Sequence, residues 1–370
     1  MKWTFTVNDI IRDNWSTVQN LGLNSHQLRH LNNIAKCHTE ELGGLITNCL
    51  DCKHLQYKYH SCRNRHCPSC QGSKREDWIN KQQQVLLDVP YFHVVFTLPA
   101  ELRTLCMYQP KAMYNLLFKA SWQTIATLSK DNKYLGAQSG MTAVLHTWSQ
   151  NLSLHPHLHC IVPGGGVTQS GKWKGTRSKG KFLFPTKVMS TIFRAIFIKG
   201  LKNLVSLGTI QLSNSLREKL YNKRWVVYAK RPFARPQHVI EYLGRYTHKV
   251  GISNYRLLNV DSTHVTFKWK DYRNSSTQKS MTLPISEFIR RLALHILAHR
   301  FVRIRHYGIL SNHGRSKVIP HLQQLQDFQP TIDNIVTRPA TILLQCSRCN
   351  SQNIASTILL KVRSRRNRAP

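Results

Sequence analysis

Ten cysteines are distributed unevenly along this chain of 370 residues, and six of them lie between Cys37 and Cys70. Two Cys-x-x-Cys pairs, Cys49 with Cys52 and Cys67 with Cys70, stand about fifteen residues apart. Each pair supplies two thiolates, and four thiolates suit the tetrahedral coordination of zinc. The spacing therefore predicts a four-cysteine zinc site in this segment; a set of reduced structural cysteines is the alternative.

The same segment contains other potential zinc ligands: Cys37, His38, Cys62 and His66. This mixed set of thiols and imidazoles would suit a second zinc ion. A basic segment that is rich in histidine also brings such donors together by chance, so a purely structural role is the alternative here too.

The pair Cys346 and Cys349 could be a remnant or half of a zinc knuckle, but no second pair follows it, and we favour the interpretation that it binds no metal. Beyond it, five Lys or Arg residues lie between Lys361 and Pro370. Such a segment is typical of a flexible basic tail, either bound to phosphates or simply solvated.

A His-x-His triplet is formed by His157 and His159. If the segment is a strand, both imidazoles face one side, while Leu158 and Cys160 face the core. Paired neutral imidazoles are ready ligands for a divalent ion, whereas an ordinary surface strand is the alternative. Three further donors lie close in the sequence: His146, Gln150 and His155.

The segment from Pro236 to Gly251 has the start and stop signals of a helix. Tyr242 and Tyr246 are one turn apart on it and share a face. Tyr246 also belongs to an apolar stripe, so core packing is the alternative, whereas Tyr242 lies at the edge of that stripe. The stripe consists of Val239, Leu243, Tyr246 and Val250. Three basic residues surround the tyrosines: Arg245, His248 and Lys249.

The charge balance points to an anionic partner, since 53 Lys and Arg against 17 Asp and Glu give a net charge of +36. Nucleic acid is the leading candidate, and an acidic membrane surface is its competitor. No acidic residue occurs between Asp131 and Glu218, which argues against a nuclease built on three carboxylate ligands. No apolar run approaches the length of a membrane span and the first residues lack a signal peptide's apolar core, so we expect an intracellular protein.

The elements that must position these residues mix strands and helices without regular alternation, which predicts an α+β fold. Helices are predicted over 7–14, 24–35, 110–129, 186–204, 236–249 and 286–297. Strands are predicted over 91–98, 141–148, 157–162 and 225–229, with a hairpin over 255–260 and 264–270.

Taken together, the cysteine segment, the His-x-His strand and the Tyr-xxx-Tyr helix resemble one family. The chain is similar to the rolling-circle transposases of the insertion sequence ninety-one family, which are two-tyrosine endonucleases with a His-hydrophobic-His motif. The resemblance covers most of the chain. The segments that carry it are 42–52, 61–70, 155–165, 242–254 and 303–308.

The resemblance implies a central antiparallel sheet flanked by helices, preceded by a small zinc-binding module. It implies a zinc-binding DNA-recognition domain over 1–80, a two-tyrosine endonuclease domain over 85–310 and a basic extension over 311–370. His157 and His159 match the metal-binding histidines, and Tyr242 and Tyr246 match the nucleophiles. The match does not identify the third metal ligand, for which we expect Gln150 first and His155 second.

The expected function is nicking and rejoining of single-stranded DNA at transposon ends through a 5′-phosphotyrosine, with structural Zn²⁺ and catalytic Mg²⁺ or Mn²⁺. We expect a cytoplasmic, nucleoid-associated protein of a bacterial-type cell. The expected DNA contacts are Arg63, Arg65, Arg245 and Lys249. The rival hypothesis is a non-catalytic, zinc-dependent DNA-binding protein whose histidines and tyrosines are structural.

Overall fold

The computed structural model describes residues 4–70, 72–178, 180–230, 233, 238–239, 244, 250–272, 274–326 and 345–359. Within the predicted helix over 236–249, only 238, 239 and 244 are described, and all three are helical. The predicted nucleophiles Tyr242 and Tyr246, the predicted DNA contacts Arg245 and Lys249, and the tail over 361–370 lie outside the described residues.

The described helices are α1 Val7–Asp13, α2 Trp15–Gln19, α3 Ser25–Ala35, α4 Gly72–Gln83, α5 Arg103–Tyr108, α6 Pro110–Lys130, α7 Thr186–Ser206, α8 Asn214–Asn222, α9 Ile285–Ala293 and α10 Asn312–Leu325. The described strands are β1 Gly44–Cys49, β2 Leu55–Tyr59, β3 Tyr91–Thr97, β4 Gly140–Trp148, β5 Leu154–Pro163, β6 Gly165–Val167, β7 Trp173–Gly175, β8 Val226–Ala229, β9 Leu257–Val260, β10 His264–Asp271, β11 Thr277–Pro284, β12 Ile304–Gly308 and β13 Ile354–Leu359.

The chain divides into two compact units, and neither is continuous in sequence. The first unit combines Met1–Lys74, Lys249–Ile296 and Asn334–Pro370. The second unit combines Arg75–His248 and Leu297–Asp333. The expected domains over 1–80, 85–310 and 311–370 are continuous in sequence. Each compact unit instead combines segments that are distant from one another in the sequence.

The first unit contains two three-stranded sheets, in the orders β13-β1-β2 and β11-β10-β9. Its helix α3 begins with a capping box, in which Asn24 and Gln27 satisfy each other's backbone N–H groups. The side-chain oxygen of Asn254 accepts a hydrogen bond of 3.1 Å from the Val7 N–H at the start of α1. A buried amide thus connects the segment after residue 249 to the first helix of the chain.

The second unit is built on a five-stranded antiparallel sheet in the order β12-β4-β5-β3-β8. One face is covered by α6 and α7, whose Phe118 and Phe193 are fully buried with Phe96 of β3. The other face carries a smaller apolar cluster, to which α4 and α10 contribute Trp78 and Leu322. Helices therefore lie on both faces of the sheet, and the predicted α+β class with a flanked antiparallel sheet is confirmed.

Many predicted elements agree with the structure to within a few residues, and the predicted hairpin is the antiparallel pair β9 and β10. The elements that were not predicted are strands β1, β2, β6, β7, β11, β12 and β13 and helices α2, α5, α8 and α10. The segment after Cys349 was read as part of a basic extension, but its β13 pairs with β1 over six residue pairs. Among the described residues, no helix combines the length and apolar character that crossing a membrane requires.

Gly308 ends β12 with a φ of 58°, and a Cβ there would lie 2.1 Å from the carbonyl oxygen of Ser139. We expect Gly308→Ala to lower the free energy of unfolding by about 2–4 kcal/mol, because left-handed strain adds to a backbone clash. The matched control is Gly208→Ala, since Gly208 has a φ of 67° with nothing within 4 Å of an added Cβ. Urea denaturation should show a loss of only about 1 kcal/mol for the control. Equal losses in the two variants would show that the clash with the Ser139 carbonyl does not contribute.

Candidate functional sites

The strand register of the second unit brings three histidines together on one sheet face. His146 of β4 lies directly opposite His157 of β5, and Val144 lies opposite His159. Side chains of directly paired residues lie on the same side of a sheet. The prediction that Leu158 and its neighbour Cys160 face the core is confirmed, since both are fully buried in the apolar cluster under α6 and α7.

The three imidazoles form a compact triangle. The ring centroids of His146 and His159 are 4.6 Å apart, those of His157 and His159 are 4.9 Å apart, and those of His146 and His157 are 5.4 Å apart. One ring nitrogen from each lies within 4.8 Å of the others. Three convergent imidazoles could hold one divalent ion, because each offers a neutral nitrogen lone pair.

Hydrogen bonds orient two of these rings. His157 Nδ1 lies 2.6 Å from the carbonyl oxygen of His155, so Nδ1 carries the proton and Nε2 keeps its lone pair. His159 Nδ1 lies 2.8 Å from Nε2 of His93 on β3. Burial lowers the pKa of His157 to about 4, which keeps its ring neutral at pH 7. Such contacts to the second ring nitrogen are the usual way in which a protein orients a ligating histidine.

Sequence reasoning treated His146 only as a nearby donor and overlooked His93. His146 joins the cluster because the β4–β5 register pairs it with His157. His155 is not in that cluster of described ligand atoms, although its ring centroid is 5.2 Å from that of His157. Gln150 lies in the turn after β4, and its role as a metal ligand stays a prediction.

Basic and aromatic side chains border the histidine cluster. Trp148 stacks on His146 with ring centroids 4.5 Å apart, and the guanidinium of Arg303 lies 5.3 Å from the Trp148 ring centroid. The Arg303 Nε also donates to the carbonyl oxygen of Leu145, at 3.2 Å. A cation is therefore held beside the potential metal ligands, where it could face a phosphate.

His306 of β12 lies on the same sheet face, opposite Thr142. Its Nδ1 accepts a hydrogen bond of 2.8 Å from Arg315 and lies 2.9 Å from the Thr142 hydroxyl oxygen. Burial, and then the charge of Arg315, lower the pKa of His306 to about 4. The ring is therefore neutral in the folded chain and takes up a proton on unfolding at any pH between about 4 and 6.5.

Proton uptake on unfolding predicts an acid-sensitive second unit. Because the folded pKa of His306 lies below the unfolded value, its contribution is complete above pH 6.5 and is lost as the pH falls towards 4. Between pH 7 and pH 5 the loss is about 2 kcal/mol for this one residue. His306→Gln should shrink the pH difference in urea-denaturation free energy by that amount. Thr142→Val keeps the imidazole and should preserve the difference; an unchanged difference in His306→Gln would contradict the assignment.

In the first unit, the cysteines form two clusters whose membership differs from the predicted one. Cys37, Cys62, Cys67 and Cys70 form the first cluster, and Cys49, Cys52, Cys346 and Cys349 form the second. The prediction that Cys49 and Cys52 share a site with Cys67 and Cys70 does not agree with this grouping. The reason is that Cys49 ends β1, whose partner β13 follows Cys349 closely.

The first cluster is surrounded by donors that point at sulfur. The Cys62 Sγ lies 3.8 Å from the Cys70 Sγ, and the Cys62 N–H donates to the Cys37 Sγ at 3.3 Å. The side-chain amide of Asn8 donates to the Cys67 Sγ at 3.4 Å. The contacts between the thiols lower the pKa of Cys67 and raise that of Cys62. The hydrogen bonds from the Cys62 N–H and the Asn8 amide stabilise thiolates, which are the form that binds zinc.

Two predicted zinc-site histidines belong to neither cluster. His66 Nε2 lies 3.3 Å from the Arg65 Nε, and its ring centroid is 5.3 Å from that of His30. His38 is exposed and its Nδ1 lies 3.2 Å from the carbonyl oxygen of Tyr59. Of the predicted DNA contacts beside the cysteines, Arg63 is exposed and Arg65 is half-buried.

Comparison with known proteins agrees with both parts of this description. Residues 10–98 match a family described as "Transposase zinc-binding domain", and residues 140–317 match one described as "Putative transposase". The chain is similar to "Putative transposase y4qJ" of Sinorhizobium fredii, with 43% identity over 83% of this chain and 80% of that protein. It is also similar to the "Transposase for insertion sequence element IS801" of Pseudomonas savastanoi pv. phaseolicola, with 27% identity over 82% of this chain and 75% of that protein. No solved structure matches the chain significantly. The chain thus belongs to the insertion sequence ninety-one (IS91) family of transposases.

Proposed function

We propose that this transposase nicks and rejoins single-stranded DNA at transposon ends through a 5′-phosphotyrosine intermediate, in rolling-circle transposition. The observation that carries the proposal is the cluster of His146, His157 and His159 on one sheet face. A cluster of neutral imidazoles suits a divalent ion that takes part in phosphate chemistry.

In this proposal, His157, His159 and His146 hold a catalytic Mg²⁺ or Mn²⁺. His146 replaces Gln150 as the first choice for the third ligand, because its ring nitrogen lies within 4.8 Å of the other two. A bound divalent ion would polarise the scissile phosphate and stabilise the charge that develops on it. Structural zinc would be held by Cys37, Cys62, Cys67 and Cys70.

The nucleophiles in this proposal are Tyr242 and Tyr246. Support comes from Val239, which is fully buried in the apolar cluster on the histidine face, together with Val144 and Ile161. Val239 precedes Tyr242 by three residues, which is just under one helical turn. In the helix predicted over 236–249, Tyr242 would therefore follow this buried residue within one turn.

Each step of the reaction forms one phosphoester bond and breaks another, so their number stays constant. The Tyr242 oxygen attacks the backbone phosphorus, its proton is released, and the bond to the 3′ oxygen of the upstream nucleotide breaks. The tyrosine is then joined to the 5′ phosphate of the downstream strand, and the upstream strand ends in a free 3′-hydroxyl. Attack by a 3′-hydroxyl reverses the step and rejoins DNA without ATP. A second tyrosine lets two strands be held during transfer.

Positive side chains would bind the strand and stabilise the phenolate. Arg303 lies beside the histidine cluster through its contact with Trp148, and Arg245 and Lys249 flank the tyrosines in the sequence. In the zinc-binding part, Arg63 and Arg65 are the proposed DNA contacts. With a net charge of +36, the chain would associate with the nucleoid of a bacterial-type cytoplasm.

The test is incubation of the full chain with single-stranded DNA from the ends of its own element, with Mg²⁺ or Mn²⁺. We expect a covalent protein–DNA adduct that resists denaturation, a free 3′-hydroxyl on the released strand, and no adduct in EDTA. Matched double-stranded DNA should give less product. Binding without cleavage on these ends would instead support the non-catalytic DNA-binding alternative and overturn the proposal.

A further inference from the structure

Two Cys-x-x-Cys turns of the first unit face each other although about three hundred residues separate them in the chain. The first turn begins at Cys49, the last residue of β1. The second turn contains Cys346 and Cys349 and leads into β13. Because β1 and β13 are antiparallel partners from Gly44 with Leu359 to Cys49 with Ile354, their ends bring the two turns together.

The four sulfur atoms have the spacing of a tetrahedral metal site. The Cys49 Sγ lies 3.5 Å from the Cys349 Sγ, and the Cys52 Sγ lies 3.5 Å from the Cys346 Sγ. Four thiolates at about 2.3 Å from zinc would stand about 3.8 Å from one another. A disulfide would need a sulfur–sulfur distance of about 2.05 Å. The observed spacing suits a shared ion and not a pair of disulfides.

The two turns repeat the same backbone construction. The N–H of Cys49 donates to the carbonyl oxygen of His54 at 3.0 Å, and the N–H of Cys346 donates to that of Ser351 at 2.8 Å. In both turns the acceptor is five residues further along the chain. The residue after the second cysteine has a positive φ in both turns, 54° at Lys53 and 59° at Asn350. Two similar turns that face each other are expected of a zinc site shared between two knuckles.

Backbone N–H groups also point at the first sulfur of each turn. The Arg348 N–H donates to the Cys346 Sγ at 3.4 Å. Backbone groups of Cys52 and Asp51 donate to the Cys49 Sγ in the same way. Donors placed in this way stabilise thiolates.

Polar contacts join the two turns beside the sulfurs. Asp51 accepts hydrogen bonds from the Ser351 hydroxyl and, at 2.8 Å, from the Asn353 side-chain amide. Four thiolates around Zn²⁺ carry a net charge of −2, which Lys53 and Arg348 offset only in part because Asp51 is also negative. The turns therefore have the ligands and the spacing of a metal site.

We infer that Cys49, Cys52, Cys346 and Cys349 bind a second structural zinc ion that fastens the C-terminal strand β13 to β1. The site lies partly outside residues 10–98, which match the zinc-binding domain family, because two of its ligands come from the other end of the chain. One ion would close the sheet β13-β1-β2 and make the zinc-binding part of the molecule depend on both ends of the chain.

The experiment counts zinc in the full chain by inductively coupled plasma mass spectrometry. We expect two zinc ions per wild-type chain and one in Cys346→Ser/Cys349→Ser. Cys49→Ser/Cys52→Ser should also keep one, and combining all four substitutions should still leave one, because both pairs serve the same ion. Adding Cys67→Ser/Cys70→Ser should remove the remaining ion. The matched control is Cys106→Ala, a buried cysteine of α5 outside both clusters, which should keep two.

A second measurement needs no variant and therefore no assumption about folding. Cys349 is exposed, so burial cannot protect it from iodoacetamide. We expect its alkylation in the wild-type chain to be slow with zinc present and fast after EDTA, without any reductant. Alkylation at the same rate with and without chelator, a requirement for reductant, or two zinc ions in Cys346→Ser/Cys349→Ser would each overturn the inference. These readouts count metal and thiols, so they stand apart from DNA cleavage.

Discussion

Tyr242→Phe is expected to abolish the covalent protein–DNA adduct and to lower single-strand cleavage by a factor on the order of 10³ or more. The substitution removes one oxygen and keeps the aromatic ring, so packing is preserved while the nucleophile is lost. Tyr242 lies at the edge of the predicted apolar stripe and Tyr246 within it, so we expect Tyr242 to be the first nucleophile. The adduct is measured by denaturing gel and by mass spectrometry of the DNA-linked peptide.

Two further variants, Tyr246→Phe and Tyr221→Phe, distinguish the role of Tyr242 from that of other tyrosines. Tyr246→Phe should retain the first cleavage and adduct but impair strand transfer, because Tyr246 belongs to the apolar stripe and would act second. Tyr221→Phe, an exposed tyrosine of α8, should match the wild type. Tyr228 offers a sharp alternative outcome: it is exposed on β8 opposite Val95, which lies opposite His159, so it shares the histidine face. An adduct on Tyr228 that survives Tyr242→Phe would contradict the prediction.

Local periodicity was enough to predict the histidine strand. Alternation along His157, Leu158 and His159 requires one face for the imidazoles and the other for the core, whatever the strand packs against. The pairing of His146 with His157 depends on the register of β4 against β5, which a turn and a bulge after His146 determine. His93 contacts His159 from a third strand, and a single histidine in a buried strand gives no sequence signal of that contact.

For the cysteines too, the local turns could be predicted from the sequence, whereas the contact between distant segments could not. Spacing predicted cysteines as zinc ligands, because a Cys-x-x-Cys turn is a local structure. It assigned Cys49 and Cys52 to the nearest pair in the sequence, whereas in the structure their sulfurs lie beside those of Cys346 and Cys349. The missing information was the pairing of β1 with β13, a contact between distant parts of the chain. An isolated pair late in a cysteine-rich chain was the one available signal, since an isolated pair cannot complete four-coordinate zinc by itself.

Replacing a histidine of the cluster is expected to remove metal-dependent cleavage. His157→Ala and His159→Ala should each lower the Mg²⁺- or Mn²⁺-dependent rate on the order of 10³-fold, or about 4 kcal/mol of transition-state stabilisation. His146→Ala should cost as much, because its ring centroid lies 4.6 Å from that of His159 and 5.4 Å from that of His157, close enough to share one ion with both. Gln150→Ala should cost less than about threefold; a larger loss there with an active His146→Ala would restore Gln150 as the third ligand.

Replacing His93 is expected to have an intermediate effect on metal binding and cleavage, because His93 contacts the proposed ligand His159 and would act through it. His93→Gln should weaken metal binding and cleavage by about 10- to 100-fold, the usual cost of losing a group that orients a ligating histidine. Excess Mn²⁺ should largely restore the rate of His93→Gln, since His159 itself is still present, but should not restore His159→Ala. Measuring rate against Mn²⁺ concentration separates the two effects, because a positioning residue changes the concentration at half-maximal rate more than the maximal rate. If His93→Gln lowered the saturated rate as far as His159→Ala does, His93 would have to act as a ligand, and the three-histidine site would need a fourth member.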